Sequence, residues 1–214
     1  MKLYTYFRSS AAYRVRIALN IKGVTYESVP VHLLRNGGEQ HTEEYRRLNP
    51  QELVPTLVDD SAVLQQSLAI IEYLDELFPQ PPLLPRHAVG RAHVRAMVLL
   101  VACEIHPLNN TRVLGYLKNT LAQSETAIDA WYVHWIHHGF VALEQLVAMH
   151  SSSEHHCYGD TVSMADIYLV PQMANARRRN MDLKDFPRLI AIDEHLRSLP
   201  AFERAAPERQ PDAQ

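Results

Sequence analysis

Two adjacent hydroxyl side chains, those of Ser9 and Ser10, lie in the segment FRSSAA, directly after a short apolar and aromatic run. The pattern predicts a strand over 3–7 and a helix over 12–22, which puts both hydroxyls at a helix N-terminus. Exposed N–H groups and the helix dipole favour an anion there, and a thiolate is such an anion. A serine that only caps the helix explains the same pattern equally well.

Arginine supplies most of the positive charge. The chain has 21 Lys+Arg residues, of which four are lysine and 17 are arginine. A guanidinium binds a planar carboxylate through two parallel hydrogen bonds, which an ammonium does not. Arg8 precedes the serine pair, Arg112 follows the segment PLNN, and a run of three arginines covers 177–179. A bias towards arginine codons explains the count as well, so only the positions of the arginines can indicate a carboxylate ligand.

The overall composition excludes several classes of protein. With 24 Asp+Glu residues the net charge is −3, which is too balanced for a nucleic-acid-binding protein that relies on a basic surface. The 47% hydrophobic and 21% charged residues are typical of a folded domain. The most apolar run, over 96–103, is far shorter than the roughly 20 residues of a membrane span. The chain also begins without an apolar leader segment, so we expect a cytoplasmic protein.

Cysteine and histidine offer little for disulfide or metal chemistry. The two cysteines, Cys103 and Cys157, are too few for a disulfide framework or a four-ligand zinc site. Cys103 lies in the apolar run, where core packing is expected. His134, His137 and His138 share one face of a predicted helix, but no carboxylate or thiol companion is evident. We therefore predict no metal site.

The elements that carry these residues change character after residue 85. The first part follows the order β-α-β-α-β-β-α, without a glycine-rich phosphate loop or a C-x-x-C pair. A proline-rich connector follows, and the rest shows only helical patterns, with an interruption near His106-Pro107 and a frayed tail after Phe202. The predicted strands are 3–7, 25–31, 56–59 and 63–65, and the predicted helices are 12–22, 42–48, 67–78, 88–117, 126–149, 163–179 and 189–199.

Five segments occur in order along nearly the whole chain: FRSSAAYRVRIALN, NPQELVPTL, QQSLAIIEYL, PLNN and VSMADIYLVPQMANA. Together they resemble the zeta-class glutathione transferases, the family of the maleylacetoacetate and maleylpyruvate isomerases, and within it the bacterial maleylpyruvate isomerases. The resemblance implies an α/β thioredoxin-like N-terminal domain plus an all-α C-terminal domain, the glutathione transferase fold. It also implies domains over 1–80 and 87–214 with a linker at 81–86, glutathione as cofactor, and a homodimer.

The resemblance implies where glutathione binds. Ser9 would hold the thiolate with Ser10 beside it, and a cis Val54-Pro55 bond would leave the Val54 backbone free for the cysteinyl backbone. Ser67 would receive the γ-glutamyl carboxylate at a helix N-terminus. Plain helix capping is the alternative for this last site. The residues expected to bind the cofactor are Ser9, Ser10, Gln40, Gln51, Leu53, Val54, Pro55, Gln66, Ser67, His106 and Asn110.

The resemblance also implies a reaction. The glutathione thiolate would add reversibly to the cis double bond of maleylpyruvate, and rotation and release would give fumarylpyruvate, in aromatic catabolism through gentisate. Arg178 matches the carboxylate-binding arginine of the family. Ala11 stands where many members have cysteine, but the nucleophile belongs to glutathione, so activity is still expected. The expected catalytic residues are Ser9, Ser10, Arg8, Arg178 and His106, and the expected substrate-binding residues are Arg8, Arg112 and Arg178.

Three alternatives stay open from the sequence. Isomerisation of maleylacetoacetate differs only in the longer keto tail of the substrate. Ordinary conjugation of glutathione to small electrophiles uses the same thiolate. A non-catalytic interaction module with the same fold needs no thiolate partner, and the presence of Ser9 disfavours it. The arginines near the expected site favour a dicarboxylate substrate over a neutral electrophile.

Overall fold

The computed structural model describes residues 1–213 and contains one sheet of four short strands: β1 (Lys2–Thr5), β2 (Glu27–Pro30), β3 (Thr56–Asp59) and β4 (Ala62–Gln65). Three helices accompany the sheet: α1 (Ser10–Ile21), α2 (Glu43–Leu48) and α3 (Ser67–Leu77). The strand order is β2-β1-β3-β4, with β1 parallel to β2 and the other pairs antiparallel. A parallel pair needs a crossover connection, which α1 supplies. The predicted β-α-β-α-β-β-α order is confirmed.

Helix α1 forms the centre of this part of the molecule, and every residue from Ser10 to Leu19 is buried. The buried run includes Arg14 and Arg16, which are 1% and 0% exposed. Burying a guanidinium costs free energy unless its N–H groups are hydrogen-bonded. Arg16 meets this condition, because it donates to the oxygen atoms of Thr5 Oγ1, Tyr6 O, Phe7 O and Ala205 O.

The segment from Ser198 onward packs with residues 1–82 in one compact unit, whereas Leu83–Arg197 form a second unit. Helix α9 (Pro200–Ala205) lies against α1, where Asn20 Nδ2 donates to the Ala201 carbonyl at 2.9 Å. The frayed tail predicted after Phe202 is wrong, because Phe202 is fully buried and hydrogen bonds continue to residue 213. The predicted domain over 87–214 also differs from the observed packing, because the segment from Ser198 onward belongs to the first unit.

The second unit is helical, and its described residues contain no strand, only an isolated bridge between Ser151 and Gly159. A capping box formed by Ser163 and Asp166 starts α7. The helices of this unit are α4 (Ala88–Leu99), α5 (Thr111–Asn119), α6 (Glu125–His150), α7 (Met164–Arg178) and α8 (Pro187–Ser198).

The predicted interruption of the helix over 88–117 is confirmed, and it is wider than a proline kink. Helix α4 continues into a π-helix over Leu100–Ile105, and a 3-10 turn over Pro107–Asn109 follows. The wider π turn changes which side chains face inward. Val101 and Ile105 are buried, whereas Cys103 is exposed. The predicted core position of Cys103 is therefore wrong.

In the second unit, the ring of His150 stacks on the ring of His93 at a centroid distance of 3.9 Å, and Tyr158 lies 6.1 Å from each. Burial, and next the charge of His93, lower the pKa of His150 from its ordinary value of 6.5. The unfolded chain therefore takes up this proton at a higher pH than the folded chain. It follows that the free energy of unfolding falls as the pH drops below about 6.5.

We expect His150→Asn to reduce the loss of melting temperature between about pH 7 and pH 5, because the variant lacks the titrating ring. Scanning calorimetry at several pH values measures this slope. His138→Asn is the matched control, since His138 is exposed on the same helix, and it should keep the wild-type slope. Equal slopes in His150→Asn and wild type would contradict the prediction.

Candidate active site

Ser9 is the N-cap residue of α1, with an extended backbone at φ −70° and ψ 115°. Its hydroxyl oxygen accepts a hydrogen bond from the Ala12 N–H at 3.2 Å, and its own N–H donates to the Tyr6 carbonyl at 3.0 Å. Its O–H has no acceptor within residues 1–213. Capping and thiolate binding by Ser9 are therefore compatible, because its hydroxyl oxygen accepts a hydrogen bond from the helix and its hydroxyl proton is available to a ligand.

The two neighbours of Ser9 differ in exposure. Ser10 is the first residue of α1 and is only 7% exposed. Arg8 is exposed and forms no ion pair with any other described residue. Of the serine pair, Ser9 therefore has the more accessible hydroxyl, and the guanidinium of Arg8 beside it is not neutralised.

The register of the sheet brings three segments predicted to bind the cofactor to one edge. Tyr4 of β1 pairs with Thr56 of β3, and Thr56 pairs with Gln65 of β4. Antiparallel neighbours run in opposite directions, so the residues after β1, before β3 and after β4 meet at the same edge. We call this the candidate edge, and it comprises the Ser9 turn over 6–9, the Val54-Pro55 loop and the Gln66-Ser67 segment.

The Val54-Pro55 peptide bond is cis, as the resemblance implied. Val54 is buried, and neither its N–H nor its C=O forms a hydrogen bond within residues 1–213. Buried backbone groups normally have partners, and an extended ligand backbone can satisfy both groups. The carbonyl of Leu53 is already occupied, because Tyr45 Oη and Asn49 Nδ2 each donate to it at 2.7 Å.

Helix α3 begins without a capping side chain. Its N-cap residue, Gln66, has the left-handed value φ 68° and makes no capping hydrogen bond; instead its Nε2 donates to Gln51 Oε1 at 2.9 Å. Ser67, the first helical residue, is buried and accepts from Arg14 Nη1 at 3.5 Å. Plain capping therefore does not explain Gln66, and this helix N-terminus can receive an anion.

Gln40 lies in a 3-10 helix over Glu39–His41 and is buried. Its Nε2 donates to the Leu33 carbonyl at 3.4 Å and lies 3.0 Å from His41 Nε2. His41 also pairs with Glu52. These contacts hold Gln40 within its own loop, and its contact with glutathione stays a prediction.

In the second unit, the segment PLNN forms the 3-10 turn and the start of α5. Asn110 is the N-cap residue of α5, and its Oδ1 accepts from the Arg112 N–H at 3.2 Å. Arg112 is exposed and forms no ion pair with the described part of the chain. His106 is half-buried where the π-helix ends. Asn110 thus has a capping role, whereas the guanidinium of Arg112 is available to an anion.

The three arginines at the C-terminal end of α7 have different partners. Arg177 pairs with Asp193, and Arg179 pairs with Asp129. Both side chains are therefore held by carboxylates of the chain itself. This leaves only the middle arginine of the run for a carboxylate ligand.

Arg178 donates to two neutral groups, Asn175 Oδ1 at 2.9 Å and Tyr132 Oη at 3.4 Å. No carboxylate within residues 1–213 pairs with it. Neutral partners fix the orientation of the guanidinium and leave its charge for a ligand. These surroundings favour Arg178 over its two neighbours as a carboxylate ligand, and its contact with a substrate stays a prediction.

Tyr132 and Asn175, the two partners of Arg178, were not predicted from the sequence. Asn175 precedes Arg178 by three positions on α7, so helical spacing could have indicated a contact. Tyr132 lies on α6, 46 residues from Arg178, and no local pattern points to it. The guanidinium of Arg179 also lies 4.6 Å from the centroid of the Tyr132 ring. Tyr132 therefore contacts two of the three arginines.

Within residues 1–213, no three side chains of His, Cys, Asp or Glu are placed to hold a metal ion. His134 stacks on His138, and His137 packs edge-on against Phe186. None of the described helices combines the length and the apolar character needed to cross a membrane.

Comparison with known proteins decides the family. The family model described as glutathione S-transferase, N-terminal domain, matches residues 3–82. A probable maleylacetoacetate isomerase of Vibrio cholerae is 53% identical over 211 residues, which are 99% of this chain and 97% of the relative. A maleylpyruvate isomerase of a Ralstonia species is 49% identical over the whole of both chains.

The structure of a maleylpyruvate isomerase, described as a bacterial glutathione S-transferase of the zeta class, matches with a TM-score of 0.97 and 48% identity over 100% of both chains. The chain belongs to the zeta-class glutathione transferases. A maleylacetoacetate isomerase of Methylobacterium extorquens, solved with bound malonate and glutathione, matches this transferase with a TM-score of 0.95 and 36% identity, again over 100% of both chains. The predicted family and the predicted glutathione transferase fold are confirmed.

Proposed function

We propose that this transferase is a glutathione-dependent cis–trans isomerase that converts maleylpyruvate to fumarylpyruvate. The candidate edge carries the proposal. It combines the available Ser9 O–H, the unpaired backbone of Val54 and the N-terminus of α3. These groups suit a thiolate, a peptide backbone and a carboxylate, which are the parts of glutathione. The full-length similarity to a maleylpyruvate isomerase supports the choice of reaction.

The residues present fit glutathione, which supplies a thiolate that adds to the substrate double bond and leaves after rotation. The Ser9 O–H and the N-terminus of α1 stabilise negative charge on sulfur and so lower the pKa of the thiol. Val54 pairs with the cysteinyl backbone, and Gln66 and Ser67 bind the γ-glutamyl carboxylate. Further cofactor contacts are proposed for Ser10, Gln40, Gln51, Leu53, Pro55, His106 and Asn110.

Arginines bind the two carboxylates of the maleyl 2-oxo acid in this proposal. Arg178 is the principal one, because neutral groups orient it. Arg8 and Arg112 are exposed and have no internal carboxylate partner among the described residues. Their guanidinium groups also stabilise the negative charge that develops on the substrate oxygen when the double bond opens.

Maleylacetoacetate isomerisation is the second candidate, and the 53% identity to the probable maleylacetoacetate isomerase favours it. Both substrates have a cis double bond between carbonyl-bearing ends, so the same thiolate and arginines serve either. Simple conjugation to electrophiles needs the thiolate but not the arginines. Turnover of a neutral electrophile without isomerase activity would favour conjugation instead.

One assay separates these candidates. We expect the absorbance of maleylpyruvate to decay in the presence of the enzyme and glutathione, and not with either alone. Maleylacetoacetate is assayed in parallel, and the ratio of the kcat/KM values identifies the preferred substrate. Turnover that does not depend on glutathione would contradict the thiolate mechanism, and a preference for maleylacetoacetate would favour the second candidate.

We also propose a homodimer in the cytoplasm, on the basis of the family resemblance. Light scattering should then give twice the 24.5 kDa mass of one chain. A mass equal to one chain at assay concentration would contradict the dimer.

A further inference from the structure

The C-terminal segment reaches the turn that carries Arg8 and Ser9. The Phe7 N–H donates to Asp212 Oδ2 at 2.9 Å, although the two residues are 205 positions apart in the sequence. This contact lies entirely within the first unit, which contains both residues 1–82 and the segment from Ser198 onward. A residue near the end of the chain thus contacts the backbone two residues before Ser9.

The turn itself depends on the orientation of Phe7. The Ser9 N–H donates to the Tyr6 carbonyl at 3.0 Å and closes a four-residue turn, with Phe7 and Arg8 at its centre. The Phe7 carbonyl accepts from Arg16 Nη2 at 3.1 Å. Both backbone polar groups of Phe7 are therefore held by side chains, one by a carboxylate and one by a guanidinium. Rotation of the peptide groups on either side of Phe7 would break one of these bonds.

Of the two side chains that hold Phe7, Arg16 is itself anchored by further hydrogen bonds, whereas the second oxygen of Asp212, Oδ1, is buried and has no partner within residues 1–213. Arg16 is fully buried and donates from Nε to the Ala205 carbonyl at 3.0 Å. Burial lowers the pKa of Arg16 to about 10, while Tyr26, Tyr13 and Asp212 act in the opposite direction. Asp212 is half-buried.

Next to Asp212, Ala213 packs against the apolar cluster formed by Tyr6, Phe7, Val31, Tyr45 and Val54. This cluster includes residues of two of the three segments at the candidate edge. The C-terminal segment is therefore attached to the candidate edge by an apolar contact as well as by the Asp212 hydrogen bond.

We propose that Asp212 is a positioning residue for the glutathione-dependent reaction: its carboxylate holds the Phe7 peptide so that Ser9 and Arg8 keep the orientation that the thiolate and the substrate need. The inference rests on the proposed function. In this role Asp212 acts through its hydrogen bond to the Phe7 N–H and thus through the turn. Small displacements of a catalytic group, on the order of 1 Å, cost about 100-fold in rate, so a contact that fixes this turn has kinetic consequences.

Loss of the Asp212 charge and loss of the turn geometry shift the pKa of bound glutathione in opposite directions. A carboxylate near a thiolate disfavours the thiolate by repulsion, so loss of the charge alone would lower the pKa of bound glutathione. Loss of the turn geometry would instead remove the Ser9 hydrogen bond and raise that pKa. The direction of the shift therefore separates positioning from simple electrostatics.

The experiment compares full-length Asp212→Ala and Asp212→Asn with wild type. We expect Asp212→Ala to raise the pKa of bound glutathione, followed by the ultraviolet absorbance of the thiolate, and to lower kcat/KM about 10-fold or more. Asp212→Asn keeps an oxygen that can accept from Phe7 and should recover most of the activity. Asp182→Ala is the matched control, because Asp182 accepts the Lys184 N–H at 3.1 Å in the other unit, and it should behave as wild type.

Two results would overturn the proposal. In the first, Asp212→Ala is assayed below its melting temperature and keeps the wild-type kcat/KM and the wild-type pKa of bound glutathione, so Asp212 has only a structural role. In the second, the alanine and asparagine variants lower the pKa of bound glutathione equally, so Asp212 acts only through its charge. If the alanine variant does not fold, the same measurements are made on Asp212→Ser, whose side chain is uncharged and shorter than that of aspartate. If wild type binds glutathione but isomerises neither keto acid, the proposed function fails, and the thiol titration still tests Asp212.

Discussion

Replacing Ser9 by alanine is expected to lower kcat/KM for isomerisation about 100-fold or more, the size of effect seen when one donor to a developing anion is removed. The Ser9 O–H has no acceptor among residues 1–213, so it can donate to the sulfur without breaking an internal bond. Without it, the pKa of bound glutathione should rise towards the value of about 8.5 for a free thiol. Less thiolate is then present at neutral pH, and the sulfur is also a poorer leaving group.

Ser9 is also a helix cap, so the loss of the cap has to be separated from the loss of the donor. Ser124 offers a matched control, because it caps α6 and accepts from the Ala127 N–H at 3.2 Å, the same distance as between Ser9 and Ala12. Each alanine variant should lose about 1 kcal/mol of stability, but Ser124→Ala should keep wild-type kinetics. Unchanged kcat/KM and thiol titration in Ser9→Ala would remove Ser9 from the mechanism.

Replacing Arg178 by alanine is expected to raise KM for the dicarboxylate substrate about 10- to 100-fold, as expected for the loss of a charge-assisted hydrogen bond. KM for glutathione should change little. Lysine at this position should recover only part of the loss, because an ammonium cannot reproduce the two parallel hydrogen bonds. Steady-state kinetics with each substrate varied in turn measure both constants.

Two further variants sharpen this test. Tyr132→Phe removes only the hydroxyl that accepts from Arg178 at 3.4 Å, so a smaller rise in KM for the dicarboxylate is expected. Arg179→Ala removes the neighbouring guanidinium, which Asp129 already neutralises, and should leave KM nearly unchanged. If Arg179→Ala weakens dicarboxylate binding as much as Arg178→Ala, the assignment of Arg178 as the principal carboxylate ligand is wrong.

Local patterns in the sequence were sufficient for the strand and helix order of the first part and for the helical character of the second. The period of the hydrophobic pattern, the helix caps and the prolines each act over a few residues, so they can be identified without knowledge of the fold. The position of Ser9 at a helix N-terminus follows from such a pattern. The cis Val54-Pro55 bond came from the resemblance instead, since no periodicity predicts it.

Two predictions from local patterns failed, one because of an irregular helical turn and one because of a long-range contact. The apolar run over 96–103 suggested a core position for Cys103, but the π turn over Leu100–Ile105 exposes it. The tail rich in Pro, Arg and Gln suggested fraying, but Phe202 is fully buried and α9 packs against α1. In the second case, packing against distant residues outweighed the local preference.

The sequence by itself therefore determined the family, the order of the elements and the residue types available for anion binding. Only the tertiary structure decided which charges are free, because ion pairs depend on distances between residues far apart in the chain. Arg177 and Arg179 are neutralised by Asp193 and Asp129, whereas Arg178 has neutral partners. The contact between Phe7 and Asp212 likewise exists only because folding brings the end of the chain to the first turn.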